Sequence, residues 1–238
     1  LHTDNFEEVS FGPILYGAKK LGMHIHTRYE VSNNAGQDIC DIVNNEGFDF
    51  LLVGSGISMS DSPDDIAATR YRTSFYNRYF KRFKAPESWF YPGALLKDKT
   101  KMFIARSNCD VGVFINRNFV KATNTLVVIS SEEDLFLLDY TRTLLKTTHG
   151  SVCIVNKAST TTPGYDKIIE AIEEFTATVP QANLLPDKDL TPGLFNGYNF
   201  MLISYNTWND VSEHRKEALQ KMPSTLILNK NKRSSSDN

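Results

Sequence analysis

The chain has 238 residues, enough to bury a real core and to form one large or two small domains. Apolar residues make up 41% and charged residues 23%, and the formal net charge of -2 argues against wholesale nucleic-acid binding. No apolar run approaches the length that spans a bilayer, and the polar, acidic start LHTDNFEEVS is not a signal peptide. That start has no methionine, so the chain reads as a piece of something longer. Cys40, Cys109 and Cys153 are odd in number, lack metal-ligand spacing and sit in or beside apolar runs. They read as reduced core thiols.

Phe11, Ile14, Leu15, Ala18 and Leu21 repeat at helical spacing, with Lys19 and Lys20 in the last turn and Gly22 as the stop. Met23 to Tyr29 reads as a strand. A second helix runs from about Asn34 to Glu46, with Ile39, Ile42 and Val43 on one face and Gly47 as terminator. Phe48 to Val53 is the clearest strand of this half and stops at Gly54-Ser55-Gly56. A polar, acidic loop follows at 58–65, and then a row of cations and aromatics. Arg70, Arg72, Arg78, Lys81, Arg82 and Lys84 have no acid among them, and Tyr71, Phe75, Tyr79 and Phe83 fall at four-residue steps. On a helix these make one aromatic row flanked by positive charge. Residues 57–104 are read as an insertion.

The stretch Ser107 to Leu138 organises the rest. Its two apolar runs, Val111 to Ile115 and Thr125 to Ile129, are buried strands, and an acidic helix start follows at Ser131, Glu132, Glu133 and Asp134. The first run closes one α/β domain and the second opens another. The second unit continues with helix Glu132 to Lys146, strand Ser151 to Val155 and a helix capped by Thr162 with Pro163 at its first position. Ile168, Ile172 and Phe175 form the buried stripe of that helix. Asn183 to Leu185 is a short strand, Phe200 to Ser204 a buried one, Asp210 to Lys221 a polar helix and Thr225 to Leu228 a final strand. The expected fold class is therefore α/β, with two tandem Rossmann-like domains at 1–117 and 118–229, mostly parallel sheets covered by helices, and a disordered tail at 230–238.

Two stretches resemble a known family. YEVSNNAGQDICDIVNNEGFDFLLVG, with Ser32, Asp38-Ile39-Cys40 and Phe50 to Val53, resembles the first cytosolic repeat of the CHX-type monovalent cation/proton antiporters. NCDVGVFINRNF, with Cys109, Asp110, Val111 and Gly112, resembles that family's Cys-Ser-Val-Gly segment. The similarity spans residues 20–56 and 105–155 and runs closest to the fungal Golgi potassium/proton antiporter. It implies a universal-stress-protein-like tail that regulates a transporter without catalysis. The implied partners are the N-terminal transmembrane antiporter domain and a second copy in a homodimer. The implied location is the cytoplasmic face of an intracellular membrane, the Golgi.

Universal stress domains that bind ATP do so with a Gly-x-x-Gly turn after the fourth strand and a later Gly-Ser/Thr, whose amides cradle phosphate. Gly54-Ser55-Gly56 is one residue too short, and Ser204-Tyr205-Asn206-Thr207 has no glycine. No cofactor is expected, and adenine nucleotide is a low-ranked alternative. The ligand-binding candidates are Gly54, Ser55, Gly56, Ser130, Ser131, Ser204 and Tyr205. The candidates for contact with a partner or an anionic lipid surface are Tyr71, Phe75, Arg78, Tyr79, Lys81 and Arg82. His24 and His26 share one strand face without a third metal ligand, and the acids at 132–134 suit a helix start. No catalytic set and no metal site are expected. A soluble nucleotide-binding universal stress protein is the alternative reading.

Overall fold

The computed structural model describes residues 4–28, 30–54, 99–185, 189–214 and 221–231. The chain divides into two compact units, Leu1–Ala35 and Gly36–Asn238. The first holds helix α1, Asp4–Lys20. It ends where Gly22 takes φ +67° and Met23 N–H donates to the Ala18 carbonyl at 2.9 Å. Residues 23–28 form no strand, contrary to the reading of Met23 to Tyr29. A short run of alternating residues gains a strand's hydrogen bonds only from a neighbouring strand, and among the described residues none pairs with it.

The second unit carries α2 (Ala35–Glu46), β1 (Phe50–Gly54), α3 (Lys99–Arg106), β2 (Asp110–Ile115) and β3 (Asn124–Ile129). One 3-10 turn, Glu132–Asp134, precedes α4 (Phe136–Thr148). Next come β4 (Ser151–Asn156), α5 (Tyr165–Thr178), β5 (Ala182–Leu184) and α6 (Pro192–Phe195). β6 (Phe200–Ser204), α7 (Tyr205–His214) and β7 (Ser224–Asn229) complete it. Gly47, at φ +68°, stops α2 where expected. Thr162 does not cap α5. Gly164 does, at φ +73°, while Thr162 Oγ1 accepts the Ser159 amide at 3.0 Å.

The seven strands among the described residues form one sheet, in the order β1-β2-β7-β6-β3-β4-β5. This corrects the expectation of two tandem domains with separate sheets. The strand expected to end the first domain, β2, pairs antiparallel with the last strand, β7, so that Val113 faces Ile227; every other pair is parallel. The reason lies in composition. Val111, Val113 and Ile115 of β2 and Ile227 and Leu228 of β7 are all buried. Two such apolar strands left as edges would expose unpaired backbone beside greasy side chains. Zipping them together removes both edges and makes one mixed α/β domain.

Helices cover the two faces. Leu126 and Val128 of β3 join Met201, Ile203, Trp208 and Val211 on one side. Val127 and Ile129 join Leu137, Ile154 and the α5 stripe on the other. Ile168, Ile172 and Phe175 of that stripe are each 0% exposed, as their spacing requires. Cys40, Phe103 and Val111 form a smaller core beside β1.

Candidate functional site

Strand order reverses between β3 and β6: β3 leads through α4 to β4 on one side, while β6 lies on the other. In open α/β sheets such a switch point leaves a crevice at the carboxyl ends of the strands, where ligands bind. Ser130 and Ser131 follow β3 there, and Ser204 and Tyr205 join β6 to α7. Four of the expected ligand residues are thus brought together.

Two residues that the sequence reading did not single out as ligands hold this crevice. Asp134 is fully buried. Its Oδ2 accepts the Ser130 amide at 2.8 Å, the Ser131 amide at 2.9 Å, the Ser130 hydroxyl at 3.0 Å and the Thr207 hydroxyl at 2.9 Å. Ser130 Oγ and Thr207 Oγ1 also meet at 2.5 Å, tying the end of β3 to the start of α7. Asp134 Oδ1 is buried and accepts from no donor among the described residues. The Ser204 hydroxyl accepts the Thr207 amide at 3.1 Å and so caps α7. The Ser-x-x-Thr spacing after β6 was the signal for Thr207. For Asp134 the signal was an acid three residues past Ser131, at a helix start.

The rim is acidic. Glu133 accepts Asn206 Nδ2 at 3.1 Å, and Glu132 pairs with Lys167 at 3.0 Å. The β6 side has no glycine turn, because α7 begins at Tyr205 directly after Ser204 and no glycine follows Gly197 in the sequence. Each residue there carries a Cβ that obstructs close backbone approach.

Gly54 does not reach this crevice. It pairs with Phe114 near the opposite end of the sheet, because β1 and β2 run against β7. Ser55, Gly56, Tyr71, Phe75, Arg78, Tyr79, Lys81 and Arg82 lie outside the described residues. His24 and His26 are exposed and on no strand. His214 meets Asp210 on a helix surface, and His149, at φ 51°, caps α4. Among the described residues no group of three or more His, Cys, Asp or Glu is placed to hold a metal.

No protein-family model and no curated protein sequence matches the chain. Solved structures do. A universal stress protein from Archaeoglobus fulgidus aligns with 96% of this chain and 78% of its own length, at 12% identity and a TM-score of 0.54. A universal stress protein from Pseudomonas aeruginosa aligns with 94% and 79% at a TM-score of 0.45, and a protein of unknown function from the same organism with 94% and 78% at 0.46, both at 12% identity. The fold is universal-stress-protein-like.

The transport reading is corrected by these findings. No helix among the described residues is long and apolar enough to cross a membrane, and the fold is the one seen in the Archaeoglobus fulgidus universal stress protein. Packing accounts for the letters that suggested potassium/proton exchange. Cys40 fills the small core with Phe103 and Val111. Asp110 accepts the Tyr140 hydroxyl at 2.7 Å. Gly112 leaves room for Phe50, whose ring would lie 2.6 Å from an added Cβ.

Proposed function

We propose that the chain is a universal-stress-type binding module without turnover chemistry, and that its switch-point crevice takes the sugar and base of a nucleoside rather than a polyphosphate. The observation that carries this is Asp134. A buried carboxylate oxygen accepting from no donor among the described residues, beside the hydroxyls of Ser130 and Thr207, suits a ligand that brings hydroxyl or amino protons. The missing glycine turn and the Glu133 carboxylate at the rim disfavour phosphate. Titration of the labelled chain with adenosine and with ATP, followed by amide NMR, tests the reading. Saturable shifts at Ser130, Ser131 and Thr207 with adenosine, and no tighter binding of ATP, support it. ATP binding far more tightly than adenosine, or no response to adenosine, overturns it.

A further inference from the structure

A cavity of about 320 Å³ lies between the α3–β2 turn and the end of β7. Its walls are set by hydrogen bonds rather than by apolar packing. Asn231 N–H donates to Asp110 Oδ1 at 2.7 Å, and Asn231 Nδ2 donates to the Ser107 carbonyl at 2.9 Å. Asn108 N–H donates to Asn44 Oδ1 at 2.7 Å, and Asn44 Nδ2 returns to the Arg106 carbonyl at 2.8 Å. Two cations, Arg106 and Lys230, are among its lining residues, and among the described residues no carboxylate lines it. Asp110 lies behind the wall with both oxygens engaged, by Tyr140 and Asn231.

Among the described residues no carboxylate comes within ion-pair distance of Arg106 or Lys230. Arg106 spends one N–H on Gln37 Oε1, which leaves four of its five donors. A guanidinium fork and an ammonium on one concave wall form a receptor for an oxyanion. Among the described residues the lining has no aromatic ring on which a base could stack; Ile104 and Ala105 supply its apolar surface.

We infer that this cavity binds a small phosphate-bearing polar molecule, held by Arg106 and Lys230. The site is separate from the nucleoside crevice and does not depend on it. The test is an amide NMR titration of the whole chain with inorganic phosphate at constant ionic strength, with acetate as the comparison anion. Phosphate is expected to shift Ser107, Asn108, Lys230 and Asn231 saturably and to bind more tightly than acetate. Arg106→Gln and Lys230→Gln should each weaken it about tenfold, the scale of one charge-assisted hydrogen bond. Lys146→Gln, on the exposed face of α4, should leave it unchanged. The inference fails if phosphate shifts do not saturate, if acetate matches phosphate, or if Lys146→Gln weakens binding as much as Lys230→Gln. Lys230 is exposed, so its variant reports on binding even where Arg106→Gln perturbs α3.

Discussion

The Tyr140 hydroxyl donates to Asp110 Oδ2 at 2.7 Å, and so helix α4 is pinned to the first residue of β2. The same carboxylate takes the Asn231 amide through its other oxygen. One acid therefore ties a helix and the residues after β7 to the start of β2. Burial pushes the Tyr140 phenol well above its usual value, and the hydrogen bond to Asp110 and the charge of that acid add to the effect. Tyr198 is raised in the same direction, by burial first and then by Cys153. A raised folded-state value means stability that is complete below the unfolded tyrosine value of 10.0 and is lost as pH climbs beyond it. Tyr140→Phe should cost about 1–2 kcal/mol at neutral pH, the worth of one hydrogen bond to a charged group at a half-buried site. It should also flatten the alkaline loss. Urea unfolding from pH 7 to pH 11 measures both; an unchanged alkaline limb in the variant would show that Tyr140 is not its source.

Asp134 is the most exacting residue of the crevice. Replacing it by alanine strands the two amides that now share Oδ2 and leaves the Ser130 and Thr207 hydroxyls only each other. The expected loss is about 3 kcal/mol, since buried donors without acceptors bear their full desolvation cost. Asp134→Asn keeps one acceptor oxygen and should lose less. Thr207→Val removes a single hydroxyl of nearly the same shape and should fall lowest of the three. Denaturant midpoints rank the series, and any other order would mean that Asp134 does not organise the turn after β3.

Two glycines make a matched pair of tests. A Cβ on Gly150 would sit 2.6 Å from the Thr123 carbonyl oxygen and 2.8 Å from that of Ala122, both backbone atoms of a strand approach that cannot yield. A Cβ on Gly112 would meet the tip of the Phe50 ring at 2.6 Å, and that side chain is half-buried at the sheet edge and able to turn. Overpacking costs about 1–3 kcal/mol. Gly150→Ala should fall at the upper end and Gly112→Ala at the lower. Thermal melts of the two variants give the comparison directly.

The β3, β4, β6 and β7 strands were readable because each is a short apolar run between turn residues, and nearly continuous burial on both faces is what such a run provides. The α5 stripe was readable because Ile168, Ile172 and Phe175 keep helical spacing. What local pattern could not reveal was partnership. Val113 facing Ile227 is a contact between residues far apart in the chain, and either strand alone fits a separate sheet equally well. The reading of Met23 to Tyr29 as a strand failed for the converse reason, since its letters suit a strand but residues 23–28 find no partner among the described residues. In the crevice, Ser130, Ser131, Ser204 and Tyr205 were visible as polar residues at strand ends. The role of Asp134 was hidden because an acid at a helix start already has an ordinary explanation in the helix dipole.

The seam between β2 and β7 makes a prediction that the buried thiols can report. Cys40 and Cys109 are buried on the β1 side of the sheet. Burial is the first cause that raises both thiols; Asp110 adds to the rise at Cys109, while Ser107 and Arg106 partly offset it at Cys40. Neither group is accessible or ionised enough to be alkylated near neutral pH while the fold is closed. If β1, β2, α2 and α3 were a unit of their own, they would open ahead of the rest and expose these two thiols at low denaturant. With β2 hydrogen-bonded along its length to β7, opening that wing means breaking the sheet, so Cys40 and Cys109 should label together at the global unfolding midpoint. Cys153, half-buried on β4, provides the reference on the far side of the seam. Pulsed alkylation across a urea series, read by peptide mass spectrometry, distinguishes the outcomes. Early labelling of Cys40 and Cys109 ahead of the transition would mean that the antiparallel pairing does not fuse the two wings into one cooperative sheet.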